Sequence, residues 1–266
     1  MRIERLRVDH DDGEPEVVVA DANAANGMCL APDGGLFVCE QGSHRRIARI
    51  SHVDPNTGCR ETVIAETDGA PLSSPNDIVV TADGSIWFTD PSYGFLQGFR
   101  PRPQVPDGVR RGSTGGGVAE TVTAVYDKPN GLALSPDGRE LYVGDSGANH
   151  EPGTYDADRP HDVWRHPLSA DGRLGARQRV AVVAPGFPDG LKTFRDGLIY
   201  VSCFAGVLVL DRDGTTCELI DLPGAVNFCF GGADGSTLFV TNDTGVWAAT
   251  PTRDRDAVID FERTYA

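Results

Sequence analysis

Five oxygen-bearing side chains recur at one fixed distance ahead of an Asp-Gly pair. Asn26, Asn76, Asn130, Asp189 and Asn227 each stand seven residues before Asp33-Gly34, Asp83-Gly84, Asp137-Gly138, Asp196-Gly197 and Asp234-Gly235. Amide and carboxyl oxygens in such positions can do one of two things. They can cap a turn through their own backbone, or, if the fold gathers them, present fixed oxygens to a cation or polar substrate. The stretch "SSPNDIVVTADGSIWFTDPSYG" (73–94) shows the repeat in full. Pro75 narrows the conformations open to Asn76. Apolar runs at 78–80 and 86–88 flank Asp83-Gly84, and the second run ends on Thr89-Asp90. Asp33, Asp83, Asp137, Asp196 and Asp234 are read as turn residues with no chemistry of their own, and Trp87 and Phe88 as core.

The elements that must position these groups follow from the repeat. Each lead residue opens a short apolar run, an Asp-Gly turn and a second run (LFVCE, IWFTD, LYVGD, LIYVS, LFVT), with one or two further strand-like pieces behind. The lead residues are 50, 54, 59 and 38 positions apart. Units of roughly 40–50 residues with four strands each are propeller blades. No amphipathic helix pattern supplies the crossovers that a parallel sheet needs. In a blade the first strand lines the central channel, so its first residue stands at one mouth. Asn26, Asn76, Asn130, Asp189 and Asn227 are therefore expected to converge as a ring. Glu40, Asp90 and Asp145 end second strands at the same mouth, and the Asp-Gly turns lie at the opposite one. Two long connections, 91–117 and 146–162, open over the ring, where a long loop carries function.

Composition excludes several classes. A formal net charge of -15 over 266 residues opposes nucleic-acid binding, which needs a basic face. No run of 18 apolar residues occurs, and the amino terminus has no apolar core of a signal peptide. The six cysteines form no C-x-x-C pair and are read as small buried thiols in a reducing compartment, which makes the expected location cytoplasmic. The six histidines match no zinc spacing.

The segments "ANGMCLAPDGGLFVCEQGSHRRI", "SPNDIVVTADGSIWFTDPSYG", "KPNGLALSPDGRELYVGDSG" and "FPDGLKTFRDGLIYVS" resemble, in order, the family of gluconolactonase, senescence marker protein (regucalcin) and luciferin-regenerating enzyme. The resemblance implies an all-β, six-bladed propeller holding one divalent cation at the channel mouth, most often calcium, with zinc, magnesium or manganese as alternatives. It implies hydrolysis of a lactone, a sugar lactone or related cyclic ester, by metal-activated water. Carried over residue by residue, Asn76, Asn130 and Asp189 are metal contacts and Asp189 is also the general base. Asn76 is also expected to touch substrate, and the ring position adds Asn26, Asn227 and Asp90 as expected substrate contacts. Neutral amide oxygens and one carboxylate make a hard-oxygen site, where a cation polarises the carbonyl and a carboxylate takes the water's proton.

One departure bears on this. The family's first blade opens with an "EGP"-type segment whose glutamate is a second anionic ligand, and this sequence has none. Residues 1–22 read as two strands (3–8 and 16–20), the outer half of a first blade whose inner half is missing. Residues 24–262 hold five full blades, with 257–262 supplying the outer strand of the last, and 1–266 form a single domain. Either the reading frame begins upstream, or the chain is a variant without that ligand. Asp90 and Asp145 have a competing role as loop caps, Asn26 and Asn227 as structural groups, and Glu40 is a remote substitute for the glutamate. Two other functions stay open: a non-catalytic propeller binding a small molecule or protein, and a relative recruited to a biosynthetic pathway. The expected partner is a small-molecule substrate, with no nucleic acid or membrane, in a monomer or homodimer.

Overall fold

The computed structural model describes residues 1–7, 14–151 and 153–249, and the backbone of 262–265. Strands β1 (Ile3–Arg5) and β2 (Glu16–Val19) form a two-stranded antiparallel sheet. Five four-stranded antiparallel units follow. The first is β3 (Ala25–Leu30), β4 (Leu36–Glu40), β5 (Arg49–Val53) and β6 (Arg60–Thr67), with β7 (Ala70–Pro71) paired to β6. The second is β8 (Ile78–Val80), β9 (Ser85–Asp90), β10 (Gly108–Ser113) and β11 (Gly117–Thr123), with one helical turn, α1 (Tyr93–Leu96), after β9. The third is β12 (Pro129–Leu134), β13 (Glu140–Asp145), β14 (Asp162–Pro167) and β15 (Gln178–Val182). The fourth is β16 (Leu191–Thr193), β17 (Ile199–Cys203), β18 (Gly206–Leu210) and β19 (Thr216–Asp221). The fifth is β20 (Ala225–Gly231), β21 (Thr237–Asn242), β22 (Gly245–Ala249) and β23 (Glu262–Tyr265).

The Asp-Gly repeat works as a turn device. Asp33, Asp83, Asp137, Asp196 and Asp234 each accept, through Oδ1, the backbone N–H two residues on, at 3.0–3.1 Å. The glycine that follows each aspartate has φ between +67° and +87°, a conformation that side chains with a Cβ rarely adopt. Five separate hairpins thus reverse direction by the same local chemistry.

Packing proceeds unit to unit in chain order. Phe37, Ile50 and Ile64 of the first unit meet Ile78, Ile86 and Phe88 of the second. Trp87 and Val109 meet Leu132, Leu141 and Val143. Tyr142 and Val163 meet Leu191, Ile199 and Val201, and Tyr200, Val207 and Val209 meet Phe228, Leu238 and Val240. Ile3 and Val19 pack on Val38 and Val53, so the two-stranded sheet covers the first unit's free face. Each such side chain contributes roughly 1.5–3 kcal/mol by leaving water, and face-to-face stacking of successive sheets is the propeller arrangement.

Several expectations need correction. The first two units share one sheet, because β6 and β11 pair in parallel at Ile64↔Gly117 and Thr67↔Ala119. Gly116 and Gly117, at φ +88° and +113°, let the two outer strands approach. Beside these five units the described residues form one further sheet, of β1 and β2 alone. The connection after β9 is 91–107 and not 91–117, since β10 begins at Gly108 and pairs with β9 along its whole length. The outer strand of the last unit begins at Glu262; 257–261 lie outside the described residues, as do 8–13. Cys39 and Cys203 are buried, but Cys59, Cys217 and Cys229 are exposed and all six are free thiols. Among the described residues no helix is long and apolar enough to cross a membrane.

Candidate active site

A seam of hydrogen bonds joins the starts of the inner strands. Gly27 N–H donates to Asn76 O at 2.7 Å, Gly131 N–H to Asp189 O at 2.9 Å, and Gly190 N–H to Val226 O at 3.0 Å. Thr89 closes the remaining step: its hydroxyl donates to Asn130 O, at 2.7 Å, while its own carbonyl accepts from Asn76 N–H, at 2.8 Å. The glycines are required here for room. A Cβ on Gly27, Gly131 or Gly190 would come closer than 3.0 Å to Asn76, Asp189 or Asn227 respectively. The Asn-Gly and Asp-Gly pairs that open three inner strands are therefore contact points between neighbouring units.

The seam brings Asn130 and Asp189 side by side, close enough for the Asn130 amide to favour the ionised Asp189 carboxylate. Burial, aided by the charge of Asp77, pushes Asp189 from 3.8 up to about 7, against the pull of Asn130 and Lys192. The half-buried Asp189 still lines a cavity at the mouth. Asn76 is only 8% exposed.

The other sequence candidates fall elsewhere. Asp90 is fully buried, and its carboxylate accepts from Ser73 and Ser74 N–H at 2.8–3.1 Å and faces Arg110 at 3.5 Å. Burial raises its pKa while Arg110 pulls it back. It has no free oxygen for a substrate. Asp145 likewise accepts from Asp127 and Lys128 N–H. Glu40 is fully buried, held by Arg49, Arg60, Ser51 and Asn23, and cannot replace a missing ligand. The Asn227 Oδ1 is taken by Phe228 N–H at 2.8 Å, and Asn26 is exposed on β3.

Some residues of the site escaped the sequence reading. Asp77 sits where three other lead residues are followed by glycine, and that break in pattern was the available signal. Its carboxylate accepts from Ile78 N–H at 2.9 Å and from Lys192 Nζ at 3.0 Å, an ion pair within the channel. Tyr93, on α1, is buried with its hydroxyl beside Ser146. Burial, then the field of Asp189, holds that hydroxyl protonated. Arg100 anchors the 91–107 connection by donating to the carbonyls of Ser73, Ser43, Arg46 and Leu72 at 2.9–3.0 Å. No local pattern announces either residue, because both act on groups far away in the chain.

The donor set is one carboxylate and two amides, hard oxygens that suit calcium or magnesium and not a nitrogen- or sulfur-preferring ion. Among the described residues no three His, Cys, Asp or Glu gather to hold a metal. The chemistry of these three side chains fits a cation with few protein ligands.

Residues 2–244 match the family model described as SMP-30/Gluconolactonase/LRE-like region. A gluconolactonase of Zymomonas mobilis subsp. mobilis is 32% identical over 230 residues, covering 82% of this chain and 60% of that protein. The chain thus spans less than two thirds of this relative's length. A solved gluconolactonase structure from Xanthomonas campestris superimposes with a TM-score of 0.79 at 31% identity, covering 93% of this chain and 77% of that one. The calcium-binding protein regucalcin of Agrobacterium tumefaciens shares the fold, with a TM-score of 0.64 at 18% identity over 94% and 78% of the two chains.

Proposed function

From the premise that this chain belongs to the SMP-30/gluconolactonase/LRE-like family, we propose that it hydrolyses a lactone, with Asp189 as the general base. The observation that carries this is Asp189, which lines the cavity with Asn130 behind it and whose carboxyl burial pushes up to about 7. A base poised near neutral pH is half ionised there and matched to taking a proton from water. The water oxygen bonds to the lactone carbonyl carbon and its proton passes to Asp189. The ring C–O bond then breaks, and the proton returns to the departing ring oxygen. The product is the open hydroxy acid, which ionises in neutral solution.

Asn76, Asn130 and Asp189 would hold a divalent cation, with calcium the best match to the donors. When bound, the ion supplies Lewis-acid polarisation of the carbonyl and a more acidic water. Asn130 orients the Asp189 carboxylate through its amide. Asn76 offers an amide oxygen from a backbone held at both N–H and O by the seam. Tyr93 is a dry, protonated donor near Asp189.

The small number of gathered carboxylates favours one other reading, a propeller that binds a small molecule without turning it over. Assay of aldonolactones with and without added calcium, zinc, manganese or magnesium separates the two, together with measurement of bound metal. Turnover that rises with one ion, falls about tenfold or more in Asn76→Ala and vanishes in Asp189→Asn is expected for the hydrolase. Absence of turnover with every ion sinks it.

A further inference from the structure

The Asp189 cavity, about 140 Å³, has walls made by Phe187, Cys203, Phe204, Ala225 and Val226. Its polar lining is Asp189 and Asp243, both acceptors when ionised. Among the described residues no Asn, Gln, Ser, Thr, Tyr, Lys or Arg lines it. A polyhydroxylated lactone ring would therefore meet few groups here able to satisfy its hydroxyl oxygens, and leaving such groups unpaired is costly.

The apolar side is built and extends outward. Phe204 stands at the turn between β17 and β18, with its ring edge-on to Phe187 at 4.9 Å and to Tyr155 at 5.6 Å. Tyr155 comes from the connection between β13 and β14. The Phe204 ring is seated on the Gly186 backbone, where a Cβ would lie 2.8 Å from the ring, and Gly186 has φ +106°. Despite this fixed seat, Phe204 is 45% exposed, Tyr155 42% and Val226 41%. Exposed large apolar side chains that gather at the mouth of a cavity mark a binding surface. This one is continuous with the carboxylate assigned to catalysis.

We propose that the lactone taken by this site carries an apolar substituent, an alkyl chain or aryl ring, that lies along Phe187, Phe204 and Tyr155 while its ester carbonyl faces Asp189. This substrate class rests on the hydrolase reading above. The three rings come from three separate segments, and their T-shaped contacts hold them as one rigid surface. An alkyl chain laid against it leaves water without displacing any polar contact.

The test compares δ-decalactone, which bears a pentyl chain on the ring, with δ-valerolactone, which bears none, and with glucono-δ-lactone. In the parental protein kcat/KM is expected to favour δ-decalactone over δ-valerolactone by about tenfold or more, since even one buried methylene commonly changes it by roughly tenfold. Phe204→Ala should bring that ratio to within about twofold of one, and Phe204→Leu should retain most of it. Tyr155→Ala, in an exposed connection, makes the same comparison if Phe204→Ala does not fold. A parental ratio near one, a preference for glucono-δ-lactone, or a ratio untouched by these variants overturns the proposal while leaving lactone hydrolysis standing. If the parental protein opens no lactone, the hydrolase reading fails. Melting shifts with δ-decalactam and δ-valerolactam, which are not hydrolysed, then decide on the apolar surface alone. A larger shift with δ-decalactam that Phe204→Ala abolishes supports it, and equal shifts overturn it.

Discussion

Replacing Asp189 by asparagine should make the metal-free protein more stable at alkaline pH while removing its activity. Ionising this carboxyl costs more in the folded chain, where it is dry and near Asp77, than in the unfolded chain. Its contribution therefore hurts stability progressively as pH rises from the unfolded value to the folded one, and is constant above. A displacement from 3.8 to about 7 corresponds to about 4 kcal/mol at full effect. Asp189 keeps contact with solvent through the cavity, which screens the charge, so about 2 kcal/mol is the expected gain. For a chain of this size that is a rise in Tm of about 4–8 °C. The assay is thermal unfolding of both proteins in a chelator, at about pH 8 and again at about pH 4.5, where the gain should shrink toward zero. Calcium in large excess should reverse the order, because binding at 100 times Kd stabilises the parental protein by about 2.7 kcal/mol and the variant lacks the anionic ligand. A variant that melts below the parental protein in chelator at pH 8, or a difference that does not change with pH, refutes the account of a strained catalytic carboxyl.

Asp90→Asn should destabilise the fold by about 3–5 kcal/mol, read as a lower urea midpoint, because it leaves Arg110 as an uncompensated buried charge; an unchanged midpoint would return Asp90 to the list of substrate contacts. Gly190→Ala forces a Cβ to 2.5 Å from Asn227 Oδ1 and should cost more than about 2 kcal/mol in the same measurement. Gly190→Ala protein as stable as the parent would show that the seam tolerates side chains and does not set the ring.

The repeat, the strand order within each unit and the turn chemistry were legible in the amino-acid sequence. They rest on interactions over two to about fifteen residues: an aspartate bonding the N–H two positions on, a glycine at positive φ, and apolar alternation along paired strands. The resemblance of four segments pointed to Asn76, Asn130 and Asp189, whose backbone groups take part in the hydrogen bonds between neighbouring units. What each polar residue does there was decided by tertiary structure. Asp90 ends a second strand and Asp189 leads into a first strand, yet one is consumed by Ser73, Ser74 and Arg110 and the other opens onto a cavity. Asp77 meets Lys192 across 115 positions, and the apolar rim draws on Tyr155, Phe187 and Phe204 from separate connections. Local pattern carries no information about such pairs, because an oxygen's role depends on whether burial leaves it a partner, water or a ligand, and that is settled only when distant strands close around it.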